Sequence, residues 1–369
     1  MTASRREAIT KILATGGAAL LPAGCTGPQV SGAARRPLVI DANLLPEIDE
    51  DSYRQSLARI ERFRMSGVTT LKYTMSQASS TAESIRGLIG EYKKVFEANP
   101  DALIQVTRAA DIDEAYRDGK LGIILSFEHV GMLNGDVALI AEFAELGVKV
   151  MQLTYNDASP FGAGVLADPS VGLTPLGARA IEQMEESRVA LDLSHSNPRT
   201  TQDAIAASKA PVLITHAGCA AVHPHPRNKD DAILKAVADR GGVTGIYDLP
   251  FLTAPPKQPD VGDYLAHIAY ALKACGEDHV GIGSDSTMEP FDTSPESLAA
   301  FRKTLADRKT RGISAPEEDE RLPLVEGLNR IDRYTVIADE LKRRGYSSRI
   351  ADKVLGLNFL RAFRDIWGG

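Results

Sequence analysis

From residue 37 onward the chain alternates short, nearly continuous apolar runs with longer stretches whose apolar residues recur every three to four positions. The runs fall at 37–43, 69–74, 122–129, 150–156, 190–195, 212–218, 243–247 and 279–285, and they predict eight β-strands. Amphipathic segments between them, at 53–65, 82–98, 137–146, 175–187, 230–239 and 264–274, predict helices. Strands that are apolar throughout, rather than alternating, belong to a sheet covered on both faces. Eight such strands separated by helices give a parallel sheet, and this count and length predict closure into a (β/α)8 TIM barrel, an α/β fold. An open doubly wound sheet would carry a glycine-rich first turn, whereas the turn after Asp41 reads Ala42-Asn43-Leu44-Leu45-Pro46. The charge- and proline-rich stretch 294–324 reads as a surface excursion after the eighth strand, and helices at 331–344 and 347–367 are expected over the outside of the barrel.

The first residues break this pattern. Ser4-Arg5-Arg6, a weakly apolar stretch at 12–22 and Ala23-Gly24-Cys25 have the layout of an export signal, and the arginine pair resembles the twin-arginine type. The bland alternative is a frayed surface helix. Residues 1–36 are therefore read as signal and linker, residues 37–369 as the catalytic barrel, and the location as the periplasm or the outer face of a bacterial membrane. Cys25 stands where a lipoprotein would be lipidated, but Pro22 replaces the expected leucine, so a membrane tether there is left open. Past residue 25 no apolar run could span a bilayer.

Composition narrows the partners. A hydrophobic content of 43%, a charged content of 25% and a net charge of −7 suit a globular enzyme and exclude nucleic acid as a natural partner. Cys219 and Cys275 form no Cys-x-x-Cys motif, so neither a thiolate zinc site nor a disulfide framework is indicated, and a single bridge between them is left open.

Chemistry collects at the strand ends, the face on which barrels of this kind build their sites. Strand three closes on Phe127-Glu128-His129, strand four on Tyr155-Asn156, strand five on Ser194-His195, strand six on Thr215-His216 and strand eight on Ser284-Asp285. Glu128, His195 and His216 make a divalent-metal site with room for water, for which zinc is the natural ion. Asp285 is placed to move protons. Taken singly, either histidine reads as a satisfied core residue, Asp285 as a cap of the following helix, and Arg227 as the ion-pair partner of Glu128. Strand alternation turns His129 away from Glu128 and makes it structural. His223 and His225 read as solvated loop residues near the pocket mouth, and His267 and His279 have no catalytic context.

These motifs carry a resemblance. Leu191-Asp192-Leu193-Ser194-His195 with 212–216, the loop His225-Pro226-Arg227-Asn228, the stretch 230–234, His279-Val280-Gly281-Ile282-Gly283-Ser284-Asp285 and the tail 355–361 resemble the membrane (renal-type) dipeptidase family across nearly all of residues 37–369. The resemblance implies a zinc-dependent barrel that cleaves dipeptides, often with a D residue on the C-terminal side, and tends to dimerise. Within it Glu128 matches the carboxylate that bridges two metals, His195 and His216 the ligands of the second metal, Arg227 the group that binds the substrate carboxylate and Asp285 the acid/base group. Asn228 joins Arg227 in the substrate-binding set.

The chain departs from that pattern in two places. The family's first strand ends in a His-x-Asp pair that holds the first metal; Asn43 and Leu45 stand here instead, leaving Asp41 and Asn43 as the candidate substitutes. One zinc is thus favoured over two. Tyr155 replaces the histidine that polarises the scissile carbonyl, a role a phenol can also fill. Lys72 is read as a lysine snorkelling to the surface; turned inward, it would take the place and charge of the missing metal. A small-peptide or amide hydrolase is the leading function. The rivals are a barrel performing maturation chemistry on an exported peptide-derived metabolite, with Lys72 as a Schiff-base nucleophile in the extreme case, and a non-catalytic ligand-binding protein.

Overall fold

Eight parallel strands hydrogen-bond into a closed ring in the computed structural model, which describes residues 36–45, 61–312 and 314–368. They are β1 (Ile40–Asp41), β2 (Thr70–Thr74), β3 (Leu121–Phe127), β4 (Val148–Gln152), β5 (Ala190–Asp192), β6 (Leu213–Ala217), β7 (Val243–Ile246) and β8 (Val280–Ile282). The ring closes where Asp41 of β1 pairs with Ile282 of β8. A short strand, Leu103–Gln105, flanks the start of β3 outside the ring. Past β1 and β8 the two chains pair once more, Leu44 with Ser286 and Leu45 with Thr287.

Each predicted strand is present, mostly shorter at its C-terminal end, where the chain turns to present side chains. Among the helices, α1 (Ala82–Ala98) has the expected bounds, while α3 (Ala138–Glu145), α4 (Pro175–Glu186), α6 (Asp231–Asp239) and α7 (Val261–Cys275) differ by a few residues. Two further helices, α2 (Ala109–Asp118) and α5 (Pro198–Ala207), went unread. Side-chain caps fix several of these starts: Thr81, Thr174, Asn197, Asp230 and Asp260 each accept the backbone N–H three residues on. The supposed excursion after β8 contains a sixteen-residue helix, α8 (Pro295–Thr310), capped by Ser294. Its predominantly polar surface hid it from a search for apolar periodicity.

Two apolar layers hold the barrel together. One lies between sheet and outer helices, and α9 (Arg333–Arg343) packs into it through Tyr334, Ile337 and Leu341. The other gathers Ile40, Ile124, Val150, Ala190, Leu213 and Val243 into one buried cluster, and strands from opposite sides of the ring meet that way only in the lumen. After a short helix, α10 (Ser348–Asp352), helix α11 (Asn358–Trp367) joins this cluster with Phe359, Leu360, Phe363 and Trp367, whereas the sequence suggested a position over the outer face. Phe363 stacks on Trp367 with centroids 4.3 Å apart, and Gly281 of β8 leaves room for the Phe359 ring, which a Cβ would meet at 2.3 Å. Among the described residues no helix is long and apolar enough to cross a membrane. Cys219 and Cys275 are free thiols. Arg5, Arg6, Cys25 and most of the helix expected at 53–65 lie outside the described residues.

Candidate functional site

Deep at the C-terminal ends of β4, β5 and β6 a buried carboxylate sets the position of two histidines. Asp192 accepts the Ser194 and Thr215 backbone N–H groups at 3.0 and 3.1 Å, the Ser194 and Thr215 hydroxyls at 2.5 and 2.6 Å and the Gln152 amide at 3.1 Å. Since the Thr215 proton goes to Asp192, Thr215 Oγ1 can only accept from His216 Nδ1, 2.8 Å away. Asn156 Oδ1 likewise accepts from His195 Nδ1 at 2.8 Å. Both rings therefore carry their proton on Nδ1 and a lone pair on Nε2, and the two Nε2 atoms face each other at 3.0 Å. Burial, and after it the Arg227 charge, hold both imidazoles well below the usual range, so neither gains a proton to relieve that contact. Two converging lone pairs are a binding site for a cation.

Glu128 supplies the third ligand. One ligand atom from each of Glu128, His195 and His216 lies within 4.8 Å of the others, and all three residues are buried. Glu128 Oε1 has no hydrogen-bond partner, a costly state for a buried carboxylate oxygen unless a cation stands by. The set fits a divalent metal such as zinc. Its nearest positive charge is Lys72 of β2, whose Nζ is 3.6 Å from Glu128 Oε1 and 3.3 Å from Ser126 Oγ. Lys72 is 1% exposed, so the surface position expected for it is wrong. Register explains why: Lys72 pairs with Ile124, whose side chain belongs to the lumen cluster, and Ser126 and Glu128 follow on the same face.

The two substitute ligands proposed at the end of β1 are occupied otherwise. Asp41 accepts Ser284 N at 2.9 Å, Asn43 N at 3.0 Å, Ser284 Oγ at 2.6 Å and Tyr334 OH at 2.8 Å, which ties β1 to β8 and α9. Asn43 donates Nδ2 to Asp285 Oδ1 at 2.9 Å. Asp41 is not part of the metal-ligating group, and both residues act as braces here instead of the ligands expected of them. Asp285 itself has a left-handed backbone, φ +56°. Burial, then the nearby Glu128 charge, push its carboxyl up to about 7, against the opposing pull of Arg227 and Lys72.

A pocket of about 190 Å³ opens over this cluster, lined in part by Tyr155, Asn156, Arg227, Phe251, Asp285 and Arg308. Arg227 is 3% exposed, and among the described residues no carboxylate pairs with it. Its Nη2 makes a long contact of 3.5 Å to His216 O and its Nε has no partner, so the guanidinium is free to clamp an incoming anion. Tyr155 is stacked between His129 (4.0 Å) and His195 (4.1 Å). Burial raises its phenol to about 12, which keeps it a hydrogen-bond donor.

α8 and residues 315–323 roof the pocket. Arg308 pairs with Glu318, and Arg321 Nη1 donates to the carbonyls of Pro250, Thr253 and Lys257 at 3.0, 2.7 and 3.2 Å. His225 contacts Pro316 O at 2.6 Å and His223 contacts Glu317 at 3.0 Å, so both are buried fasteners of the roof rather than solvated loop residues. His129 also moves: β3 ends at Phe127, alternation stops there, and the ring comes to lie on Tyr155. Asn228 is corrected from substrate contact to brace, since Nδ2 donates to His223 O and Phe251 O and Oδ1 accepts from Tyr247 OH. Arg308 and Asn156 are site residues that sequence reasoning missed. The first sat in an unrecognised helix, and the second stood at a strand end with no role assigned.

Comparison with known proteins bears on this geometry. The sequence model of the membrane dipeptidase family, peptidase family M19, matches residues 43–307. An uncharacterized protein from the pqqA 5' region of Klebsiella pneumoniae is 30% identical over 269 residues, 70% of this chain and 87% of that protein. Dipeptidase tcpJ of Claviceps purpurea is 24% identical over 74% of this chain, which spans 58% of that relative's length. Among solved structures, an amidohydrolase from Pseudomonas aeruginosa superposes with a TM-score of 0.77 at 27% identity, covering 90% of this chain and 97% of its own. A Rhodobacter sphaeroides metallopeptidase liganded with a phosphinate mimic of L-Ala-D-Ala superposes at 0.72 and 19% identity, with 90% and 100% covered, which speaks for the fold alone.

Proposed function

Because this chain belongs to the membrane dipeptidase family, whose activity is metal-dependent peptide hydrolysis, we propose that it cleaves the peptide bond of a dipeptide or similar small amide bearing a free carboxylate. The observation that carries the proposal is the locked pair of Nε2 lone pairs beside Glu128, next to a pocket lined by an arginine whose Nε has no partner. Glu128, His195 and His216 would hold the metal, with zinc the ion we expect; when bound, it supplies Lewis acidity and lowers the pKa of a water.

The remaining work falls to the chain. Arg227 clamps the substrate carboxylate and so fixes which carbonyl reaches the cluster. Tyr155 donates its hydroxyl to the oxygen on which negative charge develops. Asp285, with one oxygen held by Asn43, takes a proton from the attacking water and passes it to the leaving amine; a carboxyl poised near 7 can do both at neutral pH. The roof of α8 and residues 315–323 excludes bulk water.

Zinc-loaded mature protein assayed against a panel of L,L and L,D dipeptides tests the reading. Release of free amino acids, lost in Glu128→Gln, is expected. Binding without turnover under zinc, cobalt and manganese would sink it in favour of a non-catalytic binder. Export through residues 1–36, with lipid at Cys25 undecided, belongs to the same proposal and is checked by the mass of the mature chain.

A further inference from the structure

We propose that the chain holds a single divalent metal, at Glu128, His195 and His216, and that the Lys72 ammonium permanently occupies the other side of Glu128, where a second cation would sit. The inference rests on the metal site proposed above and adds its stoichiometry and the reason for it.

Three independent features converge. The first is the placement of Lys72. Its side chain lies within the lumen, buried as deeply as the aromatic core, and its Nζ is 3.6 Å from the one Glu128 oxygen that accepts no hydrogen bond. Ser126 Oγ, 3.3 Å from Nζ, steadies it from the same strand that carries Glu128. A lysine stem threaded up a barrel lumen cannot swing aside without displacing packed neighbours.

The second feature is the lack of spare ligands where a second ion would bind. Asp41 spends both oxygens on Ser284, Tyr334 and the Asn43 backbone, and Asn43 is held to Asp285 through Nδ2, which leaves it only an amide oxygen, a poor ligand for zinc. Leu45 is apolar and half turned to solvent. Among the described residues a second dication would find the carboxylates of Glu128 and Asp285 and at most the Asn43 amide oxygen, without the imidazole or further carboxylate that a stable zinc site uses. The third feature is charge. Lys72 and Arg227 already bring two cations to the cluster, and a further dication beside Lys72 would be repelled at short range in a partly dry site. With Lys72 in place, the single Glu128 carboxylate already faces one ammonium and one metal, and no further anionic oxygen of it remains for a second dication.

Elemental mass spectrometry on full-length mature protein, equilibrated with excess zinc and dialysed, decides the matter through three proteins. Wild type should retain one zinc per chain. Asn43→His/Leu45→Asp, which adds an imidazole and a carboxylate at the end of β1, should still retain one, because Lys72 remains. Adding Lys72→Met to that pair should raise the count to two. Two zinc ions in wild type, or in the double variant with Lys72 present, overturn the inference while leaving the proposed hydrolase intact. No zinc in wild type instead removes the metal site on which the proposed function depends. A triple variant that keeps the wild-type circular dichroism and one zinc shows that Lys72 does not exclude the second ion, and this also overturns the inference. Should the triple variant fail to fold, the wild-type and double-variant counts still test it.

Discussion

Replacing Asp285 by asparagine should make this protein more stable and abolish its activity. The carboxyl is held near 7 in the folded chain against 3.8 unperturbed, chiefly by burial and then by Glu128. A group whose folded pKa is raised contributes its stability below the unfolded value and loses it as pH climbs through the folded one. Between pH 4 and pH 8 the fold therefore has to tolerate ionising a group that resists it. Ionising a carboxyl held at about 7 costs the fold up to ~4 kcal/mol at pH 8 and well under ~1 kcal/mol at pH 4. Solvent access to the pocket and coupling to Glu128 reduce this, so a gain of about 1–3 kcal/mol at pH 8 is the expectation. The variant also suits the backbone: at φ +56° asparagine is at least as comfortable as aspartate, and its Oδ1 can still accept from Asn43. Calorimetry of the metal-free protein at pH 4, 6 and 8 should show a Tm rise of about 2–6 °C at pH 8 that shrinks toward zero at pH 4. Turnover of the zinc-loaded variant should fall by about 10²–10⁴. A Tm unchanged at pH 8, or raised equally at pH 4, refutes the idea that an ionised Asp285 is held at a cost.

Arg227→Met should raise KM for substrates with a free carboxylate by about 10–100-fold, with little change for amidated ones, since only the former lose a charge-assisted contact. Thr215→Val preserves shape but takes away the acceptor that fixes the His216 tautomer; zinc affinity, measured by chelator competition, should weaken about 10–100-fold. Arg321→Met leaves the carbonyls of Pro250, Thr253 and Lys257 without their shared donor, so hydrogen exchange in residues 315–323 should accelerate before any change appears in the barrel strands.

How much of this was written in the sequence depends on whether a residue acts through period or through partnership. The barrel was legible because its strands are buried on both faces, which makes them conspicuous as apolar runs. Glu128, His195 and His216 were legible because each ends such a run. Lys72 was misread because a single lysine in an apolar strand has two cheap fates, and only its register against β3, together with Ser126 and Glu128, selects the lumen. Asp41 and Asn43 were misjudged for a related reason. Their identities permit ligation, but Ser284, Tyr334 and Asp285, distant in sequence, had already engaged them. α8 escaped notice because its polar faces leave almost no periodic signal, and with it went Arg308.

Helix α11 has a bearing on when the barrel can fold. It contributes Phe359, Phe363 and Trp367 to the same lumen layer as Ile40 on the first strand, so the inner core joins segments from far apart in the chain. A growing chain can form outer helices and strand pairs, but the lumen stays unfilled at one end until α11 has been made. Completion of the barrel therefore waits for all eight strands and for α11, and truncation shortly before Asn358 should yield a collapsed, protease-sensitive product rather than a slightly shorter enzyme.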